Sequence, residues 1–449
     1  MDGIRTNRTL DRKNYQKLAG MISLALAMST YGVAYADNGQ NIASEQKDTF
    51  KNFENKEDLN YNANKESAFA EFNSSGGLGA INADKAYALG YTGEGVTLGI
   101  VDTGVYTQHS EFKDKDIDNF NLPEKWLWGK KDYNHGSHVA GIMVANKDGE
   151  GMQGVAYGAQ LESIVFDPEK EGDVVQQFND HINQFGDETH IINQSSSASG
   201  LGPYQNYLTN VRESVKKDKV FVFSAGNEGE TDISNQREGV LSNDDITKNN
   251  VINVISMNVG TTDKSIISSF SNLAHGAEKN TVLAPGWALN EYGDEGITSD
   301  YIFNIGQVLQ CGYDAVTGTS QAAPHVSGAM ALVEEAMPYL TGKQLTDTIL
   351  TTANNDFETP KMIVQVTRDT GGKVIGANVV YINNQVPSID EVRQDLIDYH
   401  KDNPNNWFFL HMRNNSTKDD YKDALPNFYA DPDNYEKFAD DILSLIDTI

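Results

Sequence analysis

The chain has 449 residues and a formal net charge of −29, from 64 acidic and 35 basic side chains. A chain of this length can bury a large core without disulfide or metal staples, and its single cysteine, Cys311, cannot form an internal disulfide. The acidic balance argues against a nucleic-acid-binding protein, because that class presents a basic face. We expect a soluble protein in which Cys311 is a small buried apolar residue.

The first 36 residues have the parts of a secretory signal. Basic side chains precede an uncharged apolar stretch that begins at Leu18, and Ala34-Tyr35-Ala36 ends it with a small-x-small cleavage motif. A membrane anchor is the weaker alternative, because polar residues after Met28 interrupt the apolar run and leave it short for a bilayer. We therefore predict a signal peptide at 1–36, a secreted or cell-surface protein, and no transmembrane segment after signal removal.

The segment 37–78 is rich in Asn, Lys, Glu and Asp, with isolated phenylalanines. Such a composition buries too little apolar surface to offset the entropy lost on folding. We predict that this segment is disordered or forms a short pro-segment.

From Tyr91 onward, short apolar runs alternate with helical patterns, which predicts an α/β fold: a parallel sheet with helices on both faces. The predicted strands are Thr97–Val101, Leu161–Val165, Ile191–Gln194, Val220–Ser224 and Val251–Ser256. The predicted helices are His135–Ala145, Val174–Phe185 and Tyr204–Lys217. Functional side chains of open parallel sheets lie at the carboxyl ends of strands and at the N-termini of helices.

Four polar motifs stand at such positions. Asp102-Thr103-Gly104 follows the first strand, His135 opens the first helix, Asn227 follows the fourth strand, and Ser320 precedes an apolar run that predicts a buried helix. A serine hydroxyl is nearly inert at neutral pH, so it requires a general base, an acid that orients the base, and donors for an oxyanion. A helix N-terminus also offers unpaired N–H groups to an oxyanion. The motifs therefore predict nucleophilic catalysis by Ser320.

Each motif also has a structural alternative. Asp-Thr-Gly alone is more often a turn, and Asn227 between glycines is also typical of a plain loop. The His135 and His138 pair resembles a fragment of a metal site, but no third ligand stands at a suggestive spacing. An aspartic protease needs two Asp-Thr-Gly loops, and the second copy, Asp369-Thr370-Gly371, lies in a polar turn between two strand-like segments. The four motifs together favour the serine-based chemistry.

In their chain order the four motifs resemble those of the subtilisin-like serine proteases, the subtilase family of peptidase S8 type. The resemblance covers residues 79–355, which it predicts to be one peptidase domain. The resemblance implies a secreted serine endopeptidase that forms an acyl-enzyme with protein or peptide substrates. It implies that Asp102 orients the base, that His135 is the general base, that Ser320 is the nucleophile and that Asn227 donates to the oxyanion. The resemblance implies that His138 has a structural role and no catalytic one.

The same resemblance assigns substrate-binding residues. It places an extended substrate along the strand end that contains Ser195, Ser196 and Ser197, with Ala225 and Gly226 on the facing wall. Relatives commonly have glycines where this strand end has serine and alanine. The larger side chains therefore predict a narrower and more polar pocket for the residue before the scissile bond.

The chemistry implied by the resemblance requires no cofactor, but the family leads us to expect a structural calcium ion. Glu111 stands where many relatives have a metal-binding acid, and the sequence does not identify further ligands.

The segments Ser271-Asn272-Leu273-Ala274-His275-Gly276 and Leu283-Ala284-Pro285-Gly286 also resemble subtilase loops. Their sequences are most similar to those of the autotransporter-type subtilases of Gram-negative bacteria, which carry a C-terminal outer-membrane barrel. Residues 356–449 depart from that pattern, because they do not contain many alternating strands of about ten residues. They predict instead a small α+β extension with a hairpin of Met362–Thr367 and Val374–Ile382, and a strand at Trp407–Met412. A capping box at Ser388 predicts a helix to His400, and the apolar spacing of the last 15 residues predicts a terminal helix.

Two functions of other classes are weighed against the peptidase. A catalytically silent binding protein on the same scaffold is disfavoured because all four chemical positions are intact, and a surface passenger would need an anchor that the sequence does not display. The oligomeric state is left open.

Overall fold

The structure is a computed structural model. It describes residues 27–28, 71–120, 134–165, 182–196, 204–230, 233, 236–259, 267–268, 270–274, 276–288, 295–305, 308–353, 362–368, 374–381, 390, 393–394, 397–398, 410–413 and 440.

An eight-stranded sheet forms the centre of the protein, with the strand order β1-β8-β7-β6-β5-β2-β4-β3. The strands are β1 Ala27–Met28, β2 Thr97–Asp102, β3 Ile117–Phe120, β4 Gln160–Val165, β5 Ile191–Gln194, β6 Val220–Ser224, β7 Val251–Val259 and β8 Thr281–Ala288. All pairs are parallel except β1 with β8, which is antiparallel. Every residue of β5 and β6 is buried, as expected for central strands covered on both faces.

Helices cover both faces of this sheet. They are α1 Ala83–Ala88, α2 Asn134–Val144, α3 Tyr204–Lys216, α4 Arg237–Asn243, α5 Thr319–Ala336 and α6 Gly342–Thr352, with 3₁₀ turns at Ser110–Phe112, Ile182–Gln184 and Glu278–Asn280. Successive side chains of β6 belong to two separate apolar clusters, one on each face of the sheet. Val222 belongs to the cluster that contains apolar residues of α5, and Phe223 belongs to the cluster that contains apolar residues of α3. The predicted α/β fold is confirmed.

The predicted strands agree with the structure wherever an uninterrupted apolar run is buried on both faces. Ile191–Gln194 and Val220–Ser224 have the predicted bounds, and Val251–Ser256 extends to Val259. Neither β3 nor β8 was predicted, because β3 is an edge strand with polar, partly exposed side chains and β8 contains Pro285 and Gly286. Most of the predicted helix Val174–Phe185 lies outside the described residues, and its described part is the 3₁₀ turn Ile182–Gln184.

A separate antiparallel hairpin, β9 Ile297–Ile305 and β10 Val308–Val316, leads into α5. It carries Cys311, which is exposed, so the predicted burial of this cysteine is wrong. The physical reason is the two-stranded sheet: a strand that packs against one neighbour only leaves part of its surface to solvent.

The folded domain begins earlier than predicted. Residues 71–74 are helical, and Glu71, Ser74 and Ser75 are buried polar side chains. Gly77 lies against the imidazole of His325 in α5, where an added Cβ would be 2.0 Å from Nε2. For residues 71–78 the predicted disorder of the segment 37–78 is therefore wrong, because a polar composition does not reveal contacts with a distant helix. The alternative of a short pro-segment stays a prediction.

The C-terminal residues form a three-stranded sheet. Its strands are β11 Met362–Arg368, β12 Val374–Tyr381 and β13 Leu410–Arg413, and β11 pairs antiparallel with β12 and parallel with β13. The sequence Asp369-Thr370-Gly371, predicted to be a turn, lies between the two antiparallel strands in the chain and outside the described residues. Residues 390, 393–394 and 397–398 are helical, within the helix predicted after Ser388. Asp440 is the one described residue of the predicted terminal helix, and it is helical.

No helix in the described ranges is long and apolar enough to cross a membrane.

Candidate active site

The predicted acid and base lie in direct contact. Asp102 ends β2 and is 1 % exposed, and His135 is the second residue of α2. Nδ1 of His135 is 2.7 Å from Oδ1 of Asp102, and the same oxygen accepts the N–H of Thr103 at 2.7 Å. Because a carboxylate can only accept, His135 carries a proton on Nδ1, which leaves Nε2 free to accept a proton from another group.

Close backbone packing joins the end of β2 to the start of α2. The N–H of Gly136 donates to Oγ1 of Thr103 at 3.0 Å. A Cβ at residue 136 would lie 2.3 Å from the carbonyl oxygen of Gly104, so only glycine fits after His135. The N–H of Tyr106 donates to Oγ of Ser137 at 2.9 Å. The sequence His-Gly-Ser thus fixes the histidine against the loop that carries the aspartate.

Two opposing effects set the proton affinity of His135. Partial burial disfavours the imidazolium, but the charge and hydrogen bond of Asp102 favour it and raise the pKa of His135 above its ordinary value. The side chain is still 41 % exposed, so a substrate or water can approach it. This histidine has the electrostatics of a proton acceptor that is stabilised once it becomes charged.

Ser320 is the second residue of α5 and is 9 % exposed. Its hydroxyl donates to the carbonyl oxygen of Ser195 at 2.9 Å, and Oγ of Ser195 donates to the carbonyl oxygen of Ser320 at 2.8 Å. Pro324 explains the second bond: it lacks the N–H that would meet the Ser320 carbonyl in a regular helix, so Ser195 supplies the missing donor. Two hydrogen bonds therefore join Ser195, just after β5, to the predicted nucleophile.

The hydroxyl of Ser320 is thus directed at Ser195 in this structure, and it must turn from that carbonyl before its proton can pass to His135. The backbone N–H of Ser320 belongs to the first turn of α5, where N–H groups have no acceptor inside the helix. This N–H is available to an anionic oxygen beside the serine.

The side-chain amide of Asn227 has a fixed orientation. Its Oδ1 accepts the N–H of Thr319 at 2.8 Å and the hydroxyl of Thr319 at 2.9 Å. The hydroxyl of Thr319 in turn accepts the N–H of Gly226 at 3.1 Å. Because both partners of Oδ1 are donors, the Nδ2 group is the end of the amide that remains for a ligand.

The predicted substrate-binding residues lie on two sides of Ser320. Ser195 is buried, Ser196 is half-buried, and Ser197 lies outside the described residues. On the other side, Ala225 and Gly226 are buried at the end of β6. The structure therefore brings Ser195 against the nucleophile and brings Gly226 within contact of its neighbour Thr319.

Asn272 braces the wall formed by Ala225 and Gly226, a role that the sequence did not reveal. Its Nδ2 donates to the carbonyl oxygen of Ala225 at 2.9 Å and to Oε2 of Glu228 at 2.8 Å. Gly226 has φ of 100°, and a Cβ there would be 2.3 Å from Nδ2 of Asn272. Only glycine therefore fits at this point of the wall. The motif Ser271-Asn272 was the available signal, but its spacing did not say what it contacts.

Glu111 is the residue at which the calcium ion is expected, and one oxygen of its carboxylate is hydrogen-bonded within the protein. Oε1 of Glu111 accepts the hydroxyl of Tyr313 at 2.6 Å and the N–H of Met152 at 3.3 Å, and burial raises its pKa to about 8. The neighbouring loop is held by Glu71, which accepts the N–H groups of Asp148 at 2.9 Å and Gly149 at 3.1 Å. In the described part of the chain, no group of three or more His, Cys, Asp and Glu side chains could hold a metal ion. The structural calcium ion therefore stays a prediction.

His138 occupies a buried position beneath the site. Its Nε2 lies 3.2 Å from the carbonyl oxygen of Asp314, and burial lowers its pKa to about 3. A histidine that stays neutral inside the core is a structural residue, as the resemblance implied.

Several known proteins are similar to this chain. The model of the Subtilase family matches residues 93–373. An extracellular serine protease of Serratia marcescens is 28 % identical over 64 % of this chain, which spans 32 % of that protein. The major intracellular serine protease of Bacillus subtilis is 33 % identical over 58 % of this chain and 74 % of its own length. A solved protease from Pseudoalteromonas arctica has the same fold, with a TM-score of 0.50, 24 % identity and coverage of 65 % of this chain and 92 % of its own.

The chain thus spans about a third of the length of the Serratia marcescens relative. The finer resemblance to autotransporter-type subtilases stays a prediction.

Proposed function

Because the chain belongs to the subtilase family, we propose that it is a serine endopeptidase in which Ser320 is the nucleophile, His135 the general base and Asp102 the orienting acid. The observation that carries this proposal is the 2.7 Å hydrogen bond between His135 and Asp102, on a helix that packs against the helix of Ser320. No cofactor is needed for this chemistry.

The first half of the reaction forms an acyl-enzyme. The Ser320 hydroxyl leaves the Ser195 carbonyl and attacks the peptide carbonyl carbon, while its proton passes to Nε2 of His135. Asp102 stabilises the imidazolium that results. The negative oxygen of the tetrahedral intermediate accepts hydrogen bonds from Nδ2 of Asn227 and from the backbone N–H of Ser320. His135 then donates its proton to the leaving amine as the C–N bond breaks.

The second half releases the product and restores the enzyme. His135 removes a proton from a water molecule, and the oxygen of this water attacks the acyl carbon. The same donors hold the second oxyanion. The proton returns from His135 to Oγ of Ser320 as the ester bond breaks, and a carboxylic acid leaves.

We extend the proposal to the location of the protein, which we take to be secreted or at the cell surface. The signal-like segment at 1–36 supports export, as does the similarity to an extracellular protease of Serratia marcescens. Protein or peptide substrates follow from the reaction. Detection of the protein in culture medium with a new N-terminus after residue 36 would test export, and a protein retained in the cytoplasm with Met1 intact would contradict it.

A silent scaffold is the alternative function, and the presence of all four chemical side chains argues against it. The test is labelling of the purified protein with a fluorophosphonate, which reacts only with an activated serine. We expect one adduct, mapped by mass spectrometry to Ser320, and no adduct in Ser320→Ala or His135→Ala variants. A wild-type protein that is folded but unlabelled would contradict the proposed function.

A further inference from the structure

Arg237, at the start of α4, reaches a residue beside the predicted nucleophile. It is 2 % exposed, and its Nη2 donates a hydrogen bond to the carbonyl oxygen of Ser196. The ladder between β5 and β6 ends at the pair Gln194 and Phe223, so Ser196 lies two residues beyond the sheet. A carbonyl beyond the ladder lacks the strand donors that fix residues within it. The guanidinium of Arg237 supplies such a donor from another element.

The guanidinium is itself held in place. Its central carbon lies 4.8 Å from the ring centroid of Phe223 and 5.7 Å from that of Tyr207. Its Nε is 3.7 Å from Oε2 of Glu238, a fully buried carboxylate. The hydroxyl of Tyr207 donates to Oε1 of Gln194 at 2.7 Å, so the same aromatic ring also contacts the end of β5. A planar donor fixed on several sides defines one position for the carbonyl that it binds.

The segment Ser195-Ser196 is therefore attached at two points. Ser195 exchanges two hydrogen bonds with Ser320, and Ser196 is bound by Arg237. We infer that Arg237 is a positioning residue for peptide cleavage: it holds the strand end along which an extended substrate pairs, at a fixed distance from the nucleophile. This inference rests on the proposed function, and it adds a residue that does not touch the reacting atoms.

The consequence depends on substrate length. A peptide that pairs with the strand end binds productively only when that strand end keeps its position, because small misplacements of a bound substrate lower the rate strongly. A small ester or a fluorophosphonate engages the serine, the base and the oxyanion donors without pairing along the strand. Loss of Arg237 should therefore lower peptide cleavage selectively.

The test compares a blocked single-residue leucine ester with a pentapeptide amide that has leucine before the scissile bond. The main variant is R237Q/E238Q, which removes both buried charges together and leaves neither unpaired. R237K is the second variant, because lysine keeps a charge facing Glu238 but lacks the planar fork. R212Q is the matched control: Arg212 lies on α3, and its guanidinium pairs with Asp244 at the end of α4 rather than with the strand end. Thermal melts and fluorophosphonate labelling rates are measured for each protein.

For R237Q/E238Q and R237K we expect kcat/KM for the pentapeptide to fall at least about tenfold, with the ester and labelling rates within about threefold of wild type. R212Q should match wild type on both substrates. The inference would be overturned if the peptide, ester and labelling rates of a variant fell equally, or if a folded variant cleaved the pentapeptide as fast as wild type. The proposed function would survive either result. A wild-type protein that is not labelled at Ser320 would overturn the proposed function, and this inference with it.

Discussion

Asn227 binds Thr319 through both hydrogen-bond donors that the threonine offers, with Oδ1 at 2.8 Å from the backbone nitrogen and 2.9 Å from the hydroxyl oxygen. Since Thr319 directly precedes Ser320, this pair fixes the distance between the amide of Asn227 and the nucleophile. The amide cannot be reversed without placing its NH₂ group against two donors. In the proposed mechanism, its Nδ2 is therefore held in place as an oxyanion donor before any substrate binds.

Replacing Asn227 by Ala should lower kcat by about 10²–10³, or roughly 3–4 kcal/mol of transition-state stabilisation, with KM nearly unchanged. The reason is that the oxyanion develops only as the serine attacks, so its donor contributes little to substrate binding. Steady-state kinetics on one peptide substrate measures this split. Asn243→Ala, a similar change on α4 whose amide contacts Gly239 and Gly276, is the control. A variant that loses affinity but keeps kcat would show that the donor lies elsewhere.

Gln321 follows the nucleophile at a position where related proteases often have methionine. An amide cannot be oxidised to a sulfoxide, and the described core methionines Met143, Met152, Met257 and Met330 are buried. We expect activity to survive mild peroxide. Gln321→Met should instead lose activity on the same treatment, with the oxidation mapped to residue 321 by mass spectrometry. Rapid inactivation of the wild-type protein through another methionine would contradict this account.

The pocket for the residue before the scissile bond should accept Ala, Ser, Leu or Met over large aromatic residues, by about 1–3 kcal/mol in transition-state binding. Serine side chains stand on the strand side, and Asn272 binds the facing wall through the carbonyl oxygen of Ala225. A cleavage profile on a peptide library measures the preference. A strong preference for Phe or Tyr would refute the narrow pocket and leave the assignment of the catalytic residues untouched.

The motifs and the sheet could be predicted from the sequence because each depends on a local pattern. Val220–Ser224 is an apolar run that only a covered central strand would bury, and Asn227 follows it directly. The predicted 79–355 range overlaps most of the matched range 93–373 for the same reason. The hydrogen bond between Asp102 and His135 joins two such motifs, and its existence follows from their roles once the family is suspected.

The residues that the sequence missed act through distant contacts. Arg237 and Glu238 stand in a polar stretch typical of an exposed surface, and they are buried only because α4 packs over Phe223 and reaches Ser196. Glu71 similarly has no local sign of burial, since its partners are the N–H groups of residues 148 and 149. Backbone groups leave no trace in the sequence pattern. Contacts of this kind become visible only when the fold is assembled.

The buried carboxylate of Glu238 makes the stability of the protein depend on pH. Burial raises its pKa to about 7, and the charge of Glu228 acts in the same direction. The charge of Arg237 lowers the pKa but does not cancel the effect of burial. The pKa of this group is about 7 in the folded protein and near 4.5 in the unfolded chain. The contribution of the group to stability is therefore fully present below pH 4.5, where it is a neutral carboxyl in both states, and is lost as the pH rises through 7. Chemical denaturation at pH 4.5 and pH 8 measures the effect.

Glu238→Gln should match wild type at pH 4.5 and should exceed its free energy of unfolding at pH 8 by on the order of 2–3 kcal/mol. Glu213→Gln is the control, because this glutamate is exposed in a surface pair with Lys216. A variant that is less stable than wild type at pH 8 would mean that the ion pair with Arg237 outweighs the desolvation of the carboxylate.

The central claim is that Ser320 performs nucleophilic catalysis as a unit with His135 and Asp102. The most direct measurement is the turnover of one peptide substrate by purified wild-type protein and by Ser320→Ala. The two proteins must have identical thermal melts, so that a difference in turnover does not reflect a difference in folding. We predict that the variant loses about 10⁶ in kcat, since removal of the nucleophile from such a unit costs nearly the whole of its contribution. Full peptidase activity in the folded Ser320→Ala protein would contradict the account.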